Sequence, residues 1–208
     1  MPLTLTRPSV AQTLKHQTEE AHLELEALMM PWLQAIATKE DYAQLLKGFY
    51  GYFSPLENAV APFITTAILP DGAERRKATF ILNDLEQLAV STSELPLATH
   101  LPKIQSLPQA LGALYVMEGS TLGGKGITKM LLKKEGLNLQ LNCLQFFGGY
   151  GEKTGPMWTA FVNVLNSFCG TDEEVAQMVA SAAQTFSLFK TWLQEIRTND
   201  WNQKLRFR

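Results

Sequence analysis

An all-α domain is predicted by three features of this 208-residue sequence. Apolar residues recur at three- and four-residue intervals along nearly the whole chain, the spacing of one buried helix face. No segment sustains apolar/polar alternation with β-branched enrichment, and no hairpin-type turn joins two such runs. At 46% hydrophobic and 18% charged, the composition suits a globular protein with one sizeable core. Six or seven helices in a single domain spanning residues 1–208 are expected, without a repeat, low-complexity tract or linker.

The first helix is predicted over residues 9 to about 29, with Ser9 as N-cap and Pro31 as the stop. Its apolar stripe comprises Ala11, Leu14, Thr18, Ala21, His22, Leu25 and Met29. A second helix opens at Thr38, with Asp41 completing an imperfect capping box, and carries Leu45, Phe49 and Phe53. Pro55 and Pro62 are expected to kink or divide it, because each removes a backbone donor and crowds the preceding turn. A third helix after Asp71 presents Ala78, Ile81, Leu82, Leu85 and Leu88. Residues 91 to 107, with scattered polar residues and His100, read as a connecting loop. Ser106 caps the next helix, Pro108 fits its first turn, and it is expected to end near Gly136. Residues 137 to 155 are irregular and contain GlyGlyTyrGly at 148 to 151. A short helix follows over residues 156 to 169, closed by Gly170. The last begins at the Thr171 capping box and runs to about Arg197.

Several function classes are disfavoured. A net charge of −2 gives no electrostatic case for nucleic acid, and the LysLeuArgPheArg ending reads as a solvated terminus. Cys143 and Cys169, without metal spacing or a leader, read as free thiols packed as small core residues in a reducing compartment. No apolar run reaches the roughly 18–20 residues of a membrane span, so a cytoplasmic protein without membrane contact is expected.

Two features carry chemistry. The helix ALGALYVMEGSTLGGKGITK at 110 to 129 holds Gly112, Gly119, Gly123, Gly124 and Gly126. Each mid-helix glycine costs roughly 0.5–1 kcal/mol against alanine. Their offsets place them near one face, a smooth backbone stripe suited either to close helix packing or to a large flat ligand. The second feature is His22, the one histidine within an apolar stripe, since His16 lies on a polar side and His100 in a loop. Glu26, one turn on, is placed to accept the His22 Nδ1–H and present Nε2 outward as a ligand. Lys15, two turns earlier, adds a cation. An oriented imidazole, an apolar pocket and a cation suit haem b with one axial ligand, His22, and the lysine on a propionate. A satisfied core histidine and a general base are the competing readings, though no GxSxG nucleophile supports the latter. A di-iron site would need more than the single Glu19–His22 spacing.

Taken together, LKHQTEEAHLELE at 14 to 26, DYAQLLKGFYGYF at 41 to 53 and YVMEGSTLGG at 115 to 124 resemble the haem oxygenases, most closely the bacterial biliverdin-forming branch associated with bacteriophytochromes. The resemblance implies an all-α haem-oxygenase-like fold with haem between a proximal helix and a kinked, glycine-rich distal helix. It implies oxidative opening of the haem meso bridge to biliverdin, carbon monoxide and iron, using O2 and external electrons. The donor would be a ferredoxin, a flavoprotein reductase or ascorbate, and a bilin-accepting protein could take the product. His22 then matches the iron ligand, Glu26 its hydrogen-bonding partner and Lys15 the propionate lysine. Gly119 and Gly123 match the glycines over the haem, leaving Gly112 and Gly126 to pack. Ser120 stands where the animal enzymes place an aspartate, so any distal network is built differently. No counterpart of the propionate tyrosine or of the late basic pair is found around Leu114 and residues 158 to 163, and no membrane anchor of the animal type is expected. A haem-binding or trafficking protein of the same fold, and a related helical fold acting on another small molecule, are the alternatives.

Overall fold

A computed structural model describes residues 8–206, with side chains through residue 198, and every regular element among them is helical. The last two residues of the basic tail, Phe207 and Arg208, lie outside the described residues. Helices α1 (Val10–Gln17) and α2 (Glu19–Ala35) replace the single helix expected at the start. They part at Thr18, whose hydroxyl donates to the Leu14 carbonyl at 2.8 Å, a back-bond that bends a helix. Pro31 does not stop α2. Leu33 and Ile36 beyond it are each 2% exposed, and their burial offsets the roughly 3 kcal/mol that a helical proline costs.

The same rule governs α3 (Lys39–Val60), which opens on the expected Thr38–Asp41 capping box and runs through Pro55. Leu56 and Val60 past that proline are buried. Pro62 falls in a single 3-10 turn, Ala61–Phe63. Helix α4 (Thr79–Gln87) follows a second 3-10 turn at Gly72–Glu74. The loop expected after it leads to α5 (Leu107–Leu132), one helix through all five glycines, which ends four residues before Gly136. Ser106 is its N-cap by backbone angles, yet its hydroxyl makes no capping bond. A short helix, α6 (Gln145–Gly148), lies in the segment expected to be irregular. Helix α7 (Thr154–Asn166) and the long α8 (Asp172–Arg206), opened by the expected Thr171–Glu174 box, complete the chain.

Aromatic side chains knit these elements together. Phe49 and Phe53 of α3, Phe146 of α6 and Phe189 of α8 pack mostly edge to face, with ring centroids 5.1–5.6 Å apart. Tyr42 and Tyr52 are fully buried, their hydroxyls bonded to the Cys143 and Thr185 carbonyls. Cys143 is buried as expected; Cys169 is exposed, because the chain between α7 and α8 runs on the surface there. Among the described residues, no helix is long and apolar enough to cross a membrane.

Candidate functional site

The break between α1 and α2 fixes where the site's parts meet. Thr18 gives its carbonyl to the His22 amide at 3.0 Å, and its side chain lies beside the Tyr115 hydroxyl of α5. Burial pushes the Tyr115 phenol up. His22 therefore stands one turn along α2 from this junction, and Gly119 one turn along α5. Helices α2 and α5 both pack on α8, where the His22 ring meets Phe186.

His22 is half-exposed (51%), its ring 5.4 Å from that of Phe186 on α8. Its expected partner is correct but the nitrogen is not: Nε2, not Nδ1, faces Glu26 Oε1 at 3.3 Å. At i,i+4 spacing the outer nitrogen has the longer reach toward a carboxylate that is itself 58% exposed. Lys15 is also exposed, on α1. The Thr18 break lies between it and His22, so the two-turn register expected of one continuous helix is interrupted.

The five glycines separate into two kinds. A Cβ at Gly112 would run into the Met178 carbonyl of α8, and one at Gly124 into the Phe147 carbonyl. Those two exist for backbone-to-backbone packing. Gly123 and Gly126 have no other atom within 4 Å of such a Cβ, so Gly126 does not pack as expected. At Gly119 the Cβ would meet only the Trp158 ring, at 3.7 Å, and that indole also lies 5.6 Å from Tyr115. The open face thus includes Gly123 and Gly126, with Gly119 partly covered by Trp158.

Ser120, between them, is held by groups that sequence reasoning missed. Its hydroxyl donates to the Met117 carbonyl at 2.7 Å and accepts from Arg76 Nη2 at 2.6 Å. The same Nη2 donates to the Met117 carbonyl at 2.8 Å, and the guanidinium lies 4.1 Å from the Phe146 ring centroid. Burial pushes Arg76 down to about 10, although Glu118, Tyr150 and Glu57 oppose it. Arg75 beside it is buried too, donating to Asp71 through Nε and Nη2 and to Glu118 Oε2 at 2.6 Å. Desolvation opposes its charge, but the Asp71 and Glu118 contacts outweigh it and raise its pKa. The signal for this cluster was present: Glu118 is a lone carboxylate in an apolar run, and such a group, once buried, requires a cation.

Chemically, the arrangement offers one imidazole, a bare helix face and, next to Gly119 in the chain, one hydroxyl held by Arg76 and the Met117 carbonyl. Among the described residues no three His, Cys, Asp or Glu side chains gather around a metal-sized site. The di-iron alternative therefore has no ligand set in this part of the chain. A cavity of about 270 Å³ lies along the Leu114, Met117 and Glu118 side of α5, reaching Phe53, Val60 and Arg76. It is separate from the His22 region, for neither His22 nor the open glycines line it.

A family model described as heme oxygenase matches residues 8–195. The heme oxygenase of Xanthomonas campestris pv. campestris is 27% identical over 74% of this chain and 89% of its own. Heme oxygenase PigA of Pseudomonas aeruginosa is 27% identical over 92% of this chain and 97% of its own. In three dimensions, the crystal structure of NO- and CO-bound heme oxygenase from Neisseria meningitidis superposes with a TM-score of 0.74 at 22% identity, covering 91% and 92% of the two chains.

Proposed function

This chain belongs to the haem oxygenase family, and from that premise we propose that it opens haem to biliverdin, carbon monoxide and iron through the site between α2 and α5. The observation that supports the assignment of residues is the packing of α2 and α5 on α8, with Thr18 beside Tyr115 and with His22 and Gly119 each one turn further along their helices.

The residues present fit haem b. A half-exposed imidazole with a carboxylate neighbour would suit a ligand to the haem iron, and the uncrowded backbone at Gly123 would suit the approach of a flat macrocycle. When bound, haem supplies the iron that activates dioxygen and the ring that is consumed. Everything else is the protein's part. His22 would hold the iron through the ring nitrogen that Glu26 does not face, and Glu26, 3.3 Å from Nε2, would orient the ring. Lys15 offers a propionate its charge from α1. Gly119 and Gly123 keep the distal side free of side chains, and Trp158 narrows it at one end. Ser120 gives its proton to the Met117 carbonyl and takes one from Arg76, so its oxygen keeps only acceptor capacity, enough to receive a hydrogen bond from a water. Arg76 stays cationic at neutral pH, since even its lowered pKa of about 10 lies well above it. Electrons come from outside, from a ferredoxin, a flavoprotein reductase or a small reductant. A cytoplasmic setting and a bilin-accepting partner complete the proposal.

Titration with haemin, followed by ascorbate or a ferredoxin system under air, tests it. A Soret band that gives way to bilin absorbance is the expected result. A stable Soret band under reductant would instead mean a carrier, and no Soret band would remove haem altogether.

A further inference from the structure

We infer that Tyr150 is a positioning residue of the glycine-helix site, holding Arg76 and Glu118 so that the Arg76 guanidinium stays on Ser120; the inference rests on the haem-opening function proposed for that site. The GlyGlyTyrGly segment at 148 to 151 has no other role in that function. Gly149 and Gly151 have φ of +57° and +59°, the left-handed region that glycine tolerates best. These two reversals flank Tyr150 and aim its ring back into the protein.

One hydroxyl then serves two strands of the network. It accepts the Arg76 backbone N–H at 2.9 Å and donates to the Glu118 carboxylate, whose two oxygens each lie 3.0 Å away. Glu118 directly precedes Gly119, and Arg76 reaches Ser120 directly after it. Tyr150 thus ties together the anchors on both sides of Gly119. The need for it comes from Arg76's surroundings. The hydrogen-bond acceptors of its guanidinium are all neutral, namely the Met117 and Phe146 carbonyls and Ser120 Oγ. With no carboxylate hydrogen-bonded to it, its aim depends on where its backbone is held. Burial and then Glu118 push the phenol up to about 12, so the hydroxyl keeps its proton at neutral pH. Arg75 holds Glu118 from another side and is itself tied to Asp71, so the fold does not depend on the phenol alone.

Tyr150→Phe in the full chain is the test, read in two ways. Without haem, amide hydrogen exchange at Arg76 should quicken by roughly tenfold, as its acceptor is lost. With haemin, uptake should match the parent protein, while the pH midpoint of the ferric haem spectrum moves. A merely structural tyrosine would leave that midpoint in place. Unchanged exchange at Arg76 together with an unchanged midpoint overturns the inference. If the parent protein takes up no haemin, the haem proposal fails, and Arg76 exchange then decides the role of Tyr150 on its own. Should Tyr150→Phe not fold, Gly149→Ala displaces the same hydroxyl through its strained φ, and both readouts apply to it unchanged.

Discussion

At the scale of single residues, two adjacent arginines with similar burial have different energetics. Arg75 neutralises Glu118, which is 3% exposed, so removing the cation strands a buried carboxylate. Arg75→Met should therefore cost about 3 kcal/mol or more in denaturant unfolding. Arg76 gives its hydrogen bonds to neutral acceptors and has already been desolvated, so Arg76→Met should cost about 1 kcal/mol or less. Its effect should fall instead on bilin formation, because Ser120 loses the donor that orients it. Equal losses of stability in the two variants would contradict this division. For His22→Ala, most turnover should disappear while some haem association persists through apolar burial, read from the Soret band. Unchanged turnover would place the ligand elsewhere. The half-exposed His22–Glu26 pair itself contributes little stability, at most about 1 kcal/mol, so this variant should unfold much as the parent does.

At the scale of elements, most caps were legible, Ser106 excepted, and interruptions were not. The N-cap at Ser9 and the boxes at Thr38 and Thr171 are local patterns of one to four residues, and each starts a helix as its sequence says, Ser9 through a box with Gln12. Pro31 and Pro55 were misleading because the burial that outweighs them comes from other parts of the chain. The Thr18 break was invisible for the converse reason: a threonine on an apolar stripe reads as helix, and its back-bond is a matter of geometry. The glycine helix was half legible. Periodicity placed the stripe, but only packing tells Gly124 from its neighbour. Gly123→Ala should stabilise the apoprotein by about 0.5–1 kcal/mol, because a methyl there meets nothing and the unfolded chain loses freedom. Gly124→Ala should cost about 2 kcal/mol or more, because the Phe147 carbonyl is backbone that cannot step aside. Thermal unfolding of the two apoproteins measures both. If the open face receives haem, Gly123→Ala should also weaken haemin uptake, gaining stability at the expense of function.

At the scale of the whole molecule, a single buried carboxylate joins the middle of the chain to the back of the glycine helix. Asp84 of α4 is fully buried and accepts the Gln145 and Phe146 amides at 2.8 and 2.9 Å, capping α6 in place of a local residue. Helix α6 in turn carries Phe146 beneath Arg76 and Phe147 against Gly124. Nothing local announces this, since the partners lie more than sixty residues away and Asp84 sits in an ordinary amphipathic helix. Desolvation pushes its pKa from 3.8 up to about 6, against the two amide bonds that pull it down. The native state thus binds a proton at pH values where the unfolded chain has released it. This group's contribution to stability is therefore greatest at low pH and is lost as pH rises through about 6. Asp84→Asn removes the titration while keeping one acceptor oxygen and the side-chain volume. Urea unfolding of both proteins at pH about 5 and about 7.5 should then find the parent losing about 1 kcal/mol relative to the variant across that interval. The comparison between proteins cancels every other titrating group, so a constant difference would mean that Asp84 carries no displaced proton and caps α6 as an ordinary carboxylate.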